Sequence, residues 1–346
     1  MKNNANKYGA VSAKVSAMRG KMLRDKDYDA LLSKGTVPEI AEYLFTSESF
    51  GSHLSALRSG EVHRAQLEYQ LGRSFLLQSM RLTGMIFGKE RDILSLLLYE
   101  YEKENLLAYF RHLISERDAE FFFSGNDFIR VHSNIPYAQL AACHSFTEAA
   151  DILNETQYGA LLSDLLRSEQ PDYNQIERRL VENYFDCSTR LIEASFSKED
   201  ASVIVRQLEV EKDFRNILRI LRLKKFYPDE EISQHLLRGG HRIRGAVLQE
   251  LLSARDYEAA LAVVQQTRYG RYFSGEVFLD NAYLVYLERD SRRILNGGGA
   301  TILCVPAYLN LKRIEIHNII TIIEGKRYGC SREAIVQKLV GYHRRG

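Results

Sequence analysis

The chain has 346 residues, of which 45% are hydrophobic and 27% charged, with a formal net charge of +2. That balance gives no electrostatic case for nucleic acid, and the length suits about two domains or one large one. The four cysteines, Cys143, Cys187, Cys304 and Cys330, form no Cys-x-x-Cys pair and no disulfide framework, which points to a reducing compartment.

The opening, MKNNANKYGAVSAKVSAM, has no apolar core of signal-peptide length. No later run approaches the roughly 18 apolar residues of a membrane span, so any membrane association is expected to be peripheral. The chain has five prolines. That is far below the usual share of about 5%. Long helices account for the scarcity, because an interior proline costs about 3 kcal/mol. In chain order, Thr36-x-x-Glu39 has the spacing of a capping box and opens a short helix that stops near Gly51. Val62, Ala65, Tyr69, Leu76 and Met80 then fall near helical spacing, and ILSLLLY at 93–99 reads as a helix face. Ser145-x-x-Glu148 repeats the capping box before Gly159. Val203, Val210, Phe214, Ile217 and Leu221 mark another long helix. Asp256 caps a further short helix that stops near Gly270. ATILCV at 300–305 has the composition of a short strand ended by Pro306. No series of alternating strand segments accompanies it, so the fold class read from the sequence is all-α.

Two phrases recur in the same order. The first runs Ala41, Leu44-Phe45, Phe50-Gly51; then Ala149, Ile152-Leu153, Tyr158-Gly159; then Ala260, Val263-Val264, Tyr269-Gly270. Leu32, Leu140 and Leu251 each precede the glycine by 19 residues. The glycine is expected to stop the helix, by a left-handed conformation or by a close backbone approach. The second phrase sets an acid one helical turn before an asparagine: Glu102 and Asn105, Asp213 and Asn216, Glu315 and Asn318. These acids either form a threefold array on an inner surface or bond locally to their own asparagine or a neighbouring helix, and the local role is the preferred reading. A unit of roughly 110 residues is too long for the common solenoids. It divides the chain into three helical repeats, 1–115, 116–235 and 236–346.

Chemistry-bearing motifs are weak. GMIFGKE at 84–90 has three residues between its glycines where a phosphate loop needs four, and Glu90 follows Lys89 where that loop needs a hydroxyl. Gly297-Gly298-Gly299 reads as a flexible linker. Cys143-His144 are adjacent, so their side chains diverge, and Cys143 reads as a small core residue. The nine histidines supply no metal-ligand spacing, and no serine-hydrolase elbow is present. The pairs Arg178-Arg179, Lys224-Lys225 and Arg292-Arg293 read as solvated faces. No catalytic, cofactor or metal residue is assigned, and partner-binding residues are left open.

YGAVSAKVSAMRGKMLRDKDYDALLSKG (8–35), YEYEKENLLAYFRHLI (99–114) and IEIHNIITIIEGKRYGCSREAIVQKLV (314–340) resemble the C subunit of V-type ATP synthases, a family that includes the d subunit of eukaryotic V-ATPases. The resemblance covers nearly the whole chain. It implies three related helical bundles arranged as a funnel about a pseudo-threefold axis, with no catalysis and no cofactor. It further implies a central-rotor adaptor on the cytoplasmic face of a membrane. Such an adaptor links central stalk subunits to a proteolipid ring and passes torque between them for proton or sodium transport. A general helical scaffold that binds soluble proteins is the alternative.

Overall fold

The computed structural model describes residues 2–54, 57, 62–115, 131–275 and 278–342. Among them the secondary structure is helical throughout, with no strand, as expected. In chain order the α-helices are α1 (Lys2–Gly20), α2 (Asp25–Ser33), α3 (Val37–Thr46), α4 (Arg64–Thr83), α5 (Ile93–Ile114), α6 (Tyr137–Ala141), α7 (Phe146–Leu153) and α8 (Gly159–Leu166). There follow α9 (Tyr173–Ser195), α10 (Lys198–Phe226), α11 (Ala246–Ser253), α12 (Tyr257–Gln266), α13 (Ala282–Asn296), α14 (Cys304–Arg327) and α15 (Arg332–Val336). The chain divides into two compact units, residues 1–91 with 261–346, and residues 92–260. The expected repeat boundary at 115/116 borders residues 116–130, which lie outside the described residues.

In the first unit α14 packs against α13, α4, α1, α2, α3 and α15. A helix wrapped on so many sides must be apolar around most of its circumference. Val305, Tyr308, Ile319, Ile322 and Ile323 are accordingly buried along α14. Its N-terminus corrects the strand expected at 300–305: the helix begins at Cys304, and Pro306 lies in its first turn. An amide N–H there has no partner within the helix, so proline is tolerated. On α4 the expected apolar face holds only in part: Val62, just before the helix, and Leu76 are buried as expected, but Ala65 is exposed. Tyr69 is 48% and Met80 39% exposed, whereas Leu67, Leu71, Ser74, Gln78, Ser79 and Leu82 are buried. The polar members belong to the core because they are satisfied in place. Ser74 and Ser79 donate to Leu71 O and Phe75 O, and Gln78 accepts from Tyr308 Oη at 2.5 Å.

The second unit is organised by α5, α9 and α10. α9 packs against all of α5, α10 and α8, and α7 packs on α8. One apolar cluster joins Leu106, Phe110, Leu140, Leu153, Tyr158, Leu162 and Phe185. The face expected on α10 holds: Val210, Phe214, Ile217 and Leu221 are all buried, with Val203 partly so.

Candidate functional site

The first phrase forms a short capped helix three times. Thr36 Oγ1 accepts from Glu39 N, Ser145 Oγ from Glu148 N, and Asp256 Oδ1 from Ala259 N. The capping carboxylates reach one residue further back than a standard box. Glu39 accepts from Gly35 N at 2.8 Å and Glu148 from His144 N at 2.9 Å. Ala41, Ala149 and Ala260 are fully buried, as are Leu44, Leu153 and Val264, and the aromatics Phe50, Tyr158 and Tyr269 are at most 3% exposed. None of the three glycines has positive φ. Gly159 opens α8, and Gly270 opens a 3-10 turn over Gly270–Tyr272. The reason for glycine is the close approach of the chain. A Cβ on Gly51 would meet Phe45 O at 2.6 Å and one on Gly159 would meet Asn154 O at 2.5 Å, and one on Gly270 would collide with Gln265 O.

The second phrase is buried in all three copies: Glu102, Asn105, Asp213, Asn216, Glu315 and Asn318 are each no more than 3% exposed. Each acid lies on a long helix and holds the segment that enters the next short helix. Glu102, on α5, accepts from Ser133 Oγ at 2.6 Å, just before α6. Asp213, on α10, accepts from Arg242 N at 2.8 Å and Ile243 N at 3.0 Å, just before α11. Glu315, on α14, accepts from Leu23 N at 2.5 Å, just before α2. The last of these returns the chain to its own beginning. Two acids also bind the glycine phrase itself. Glu102 accepts from Gln157 Nε2 and Tyr158 Oη, both at 2.8 Å, and Glu315 from Ser49 Oγ at 3.1 Å. The two phrases are thus the two halves of one joint. Burial and the Glu102 carboxylate together push the Tyr158 phenol well above its ordinary range, so it stays a donor.

Two of the asparagines, Asn216 and Asn318, clamp the segment that follows their long helix. Asn216 donates to Leu237 O and accepts from Leu237 N, both at 2.9 Å. Asn318 makes the same two bonds with Val340, at 2.8 and 2.9 Å. A primary amide suits this because it carries one donor and one acceptor side by side, matching a peptide group.

Sequence reading missed a third component, a buried lysine at every joint. Lys103, Lys212 and Lys312 are 2%, 8% and 1% exposed. Each lies over an aromatic ring: Tyr184 at 4.4 Å, Phe185 at 5.1 Å and Phe50 at 3.6 Å. Each also has a carboxylate, Glu104 at 3.0 Å, Glu209 at 2.7 Å and Glu315 at 2.6 Å. Burial pushes the Lys312 ammonium below its ordinary value, and the adjoining Glu315 opposes that shift. The available signal was a lysine within three residues of every acid, but its offset differs in each copy.

At the joints the arrangement holds backbone and side chain together. In the phosphate-loop candidate, Glu90 accepts from Tyr8 Oη at 3.1 Å and pairs with Lys7. Cys143 is half-buried rather than core and donates to Gln139 O, and no metal-ligating cluster occurs among the described residues. The basic pairs are mostly tied down. Arg178 donates to Gln234 O, Lys224 to Leu252 O, and Arg179, Arg292 and Arg293 pair with Asp164, Glu288 and Asp290.

The family model described as ATP synthase (C/AC39) subunit matches residues 11–338. The chain belongs to that family. Within it, the chain is 25% identical to the C subunit of the A-type ATP synthase of Methanosarcina mazei over 350 residues, 98% of this chain and 94% of the relative. It is 24% identical to the protein of the same name from Haloferax volcanii, over 95% of this chain and 96% of that one. Against the Pyrococcus horikoshii protein, again of that name, the identity is 28%, over 76% and 69% of the two chains. The matched residues contain all three copies of both phrases. Among the described residues no helix is long and apolar enough to cross a membrane.

Proposed function

We propose that this chain is a non-catalytic central-rotor adaptor of a V-type or A-type rotary ATP synthase. In this reading it links the central stalk subunits to the proteolipid ring at the cytoplasmic face of the membrane, bound peripherally. It transmits torque during proton or sodium transport. Three helical repeats over 1–115, 116–235 and 236–346 form its body, arranged as a funnel. The family match over residues 11–338 carries the reading, and the names of the archaeal relatives agree with it.

The joints supply a physical means. A torque-bearing subunit must resist slippage between its helices. Charge-assisted hydrogen bonds are roughly twice as strong as neutral ones, and a buried partner left unpaired costs about 1–3 kcal/mol. Each long helix therefore carries the next helix set with it inside its unit. Close-packed apolar surroundings add to that stiffness.

Titration calorimetry of the purified chain against purified stalk subunits of the same complex tests the proposal, with albumin as control. Saturable binding at one chain per stalk is expected. Absence of binding, with the chain shown to be helical by circular dichroism, would move the weight to a general helical scaffold.

A further inference from the structure

Beside the Glu315 joint the first unit contains an open cleft of ≈ 590 Å³. This volume is within the usual range for ligand sites, about 300–1,000 Å³. The cleft lies between the end of α1, the start of α2, α13 and α14. Its apolar lining is Leu311, Ile314 and the ring of buried Tyr28, beside the buried polar Glu315 and Asn318. Its rim carries four guanidinium groups, from Arg19, Arg24, Arg289 and Arg292. Arg19 donates to Asn296 Oδ1 at 2.8 Å and Arg292 pairs with Glu288. Arg24 and Arg289 have no carboxylate partner among the described residues, and the Arg289 guanidinium lies 5.5 Å from the Tyr272 ring.

The second unit contains a smaller cleft of ≈ 200 Å³ beside Asn216 and Leu237, the clamp that corresponds to Asn318 and Val340. Its arginines are engaged internally. Arg178 donates to Gln234 O, Arg215 pairs with Glu211 and Arg219 with Glu177. The smaller cleft therefore presents arginines already bonded within the fold, whereas the cleft beside Glu315 presents two, Arg24 and Arg289, without a carboxylate partner among the described residues.

We infer that the cleft beside Glu315 docks an acidic protein segment, with an apolar side chain seated on Leu311 and Ile314 and flanking carboxylates paired with Arg24 and Arg289. Guanidinium forks match carboxylates bidentately, and an apolar floor under a charged rim is the pattern of a peptide anchor. Asp25 and Glu288 also line the cleft. They disfavour a compact polyphosphate, whose whole charge would lie near both, more than a chain whose carboxylates are spaced apart. The inference rests on the adaptor reading only in its first probe, the stalk subunits.

The test compares wild type, Arg24→Glu/Arg289→Glu and the milder Arg24→Gln/Arg289→Gln, each checked for helicity by circular dichroism. A control, Arg178→Glu, alters the smaller cleft of the second unit instead. Probes are the purified stalk subunits and a fluorescent peptide of sequence EELLEE, with QQLLQQ as its neutral counterpart. Stalk binding is expected to weaken about tenfold or more in the charge-reversed variant, less in the glutamine variant, and not in the control. It should also weaken as salt rises, because rim charges are screened. Equal stalk binding by all variants overturns the inference and leaves the adaptor reading standing. Absent stalk binding, with EELLEE binding to wild type and lost in the charge-reversed variant, removes the adaptor reading and keeps the acidic-segment site. Binding of neither probe, or tighter binding of inorganic pyrophosphate than of EELLEE, overturns the inference.

Discussion

The Asp213 and Glu315 joints solve one problem in two ways. Both bury an acid whose oxygens receive the backbone N–H groups of an incoming segment. Around Asp213 two consecutive amides, those of Arg242 and Ile243, converge on the carboxylate. Gly240, with φ +112, allows the chain to wrap this closely, since a Cβ there would collide with Asp213 Oδ1. Its neighbour Lys212 turns away to Glu209, which is a quarter exposed. Around Glu315 one amide is available, and Lys312 completes the shell through Glu315 at 2.6 Å and Ser49 Oγ at 2.7 Å. A carboxylate can thus be buried by backbone dipoles or by a counter-charge, and the choice follows from how tightly the chain turns around it. A backbone cradle resists single side-chain changes, whereas an ion pair is vulnerable at each partner.

The largest effect should come from breaking that ion pair. Lys312→Ala leaves a buried carboxylate without its counter-charge and is expected to cost about 3–5 kcal/mol. Lys212→Ala, whose partner Glu209 is a quarter exposed and keeps the Gly240 N–H, should cost less, about 1–3 kcal/mol. Urea melts at neutral pH compare the two. Equal losses would dissolve the distinction between the joints. Next comes the repeat's aromatic. Tyr269 is 3% exposed, and Tyr269→Ala should cost about 2–4 kcal/mol in the same assay. A near-zero loss would mean that the third copy of the phrase does not anchor its helix.

The asparagine clamps sharpen the comparison from the other side, because they are alike where the acids differ. Asn216→Ala and Asn318→Ala each strand a buried peptide N–H and C=O, so each should cost about 1–3 kcal/mol. Hydrogen exchange should localise the loss of protection to Leu237 in one variant and Val340 in the other. A difference between them beyond about 1 kcal/mol would show that the neighbouring acid joint, rather than the clamp, sets the local stability.

The smallest effect is a surface control. The hydrogen bond from Arg179 to Asp164, at 2.7 Å, holds the Asp164 carboxyl below its ordinary value. A depressed carboxylate stabilises the fold above its unfolded pKa and loses that contribution as pH falls through its folded value. For so exposed a pair the stake is about 0.2–1 kcal/mol. Asp164→Asn should remove that increment at pH 7 and leave stability unchanged at pH 2. A mutant difference that persists at pH 2 would assign the effect to packing instead.

Helix content, the capped starts and the two repeated phrases were legible in the chain, because they depend on neighbours within one or two turns. A scarcity of proline, a hydroxyl three residues before a glutamate, and an acid one turn before an asparagine are all local statements. Which polar residues enter the core was not legible. Ser74 and Gln78 are buried while Tyr69 and Met80 are exposed, because burial depends on where Tyr308 and α14 lie. The glycines illustrate the same limit. Their necessity was visible, but only the packed chain shows that the cause is a carbonyl closing on the Cα rather than a left-handed turn. Tertiary structure likewise decided the lysines and the partners of the acids. Glu315 meets Leu23 across 292 residues of sequence, and no periodicity encodes that meeting. Local hydrogen bonding writes itself into short spacings, whereas a buried charge is neutralised by whatever group the fold brings to it.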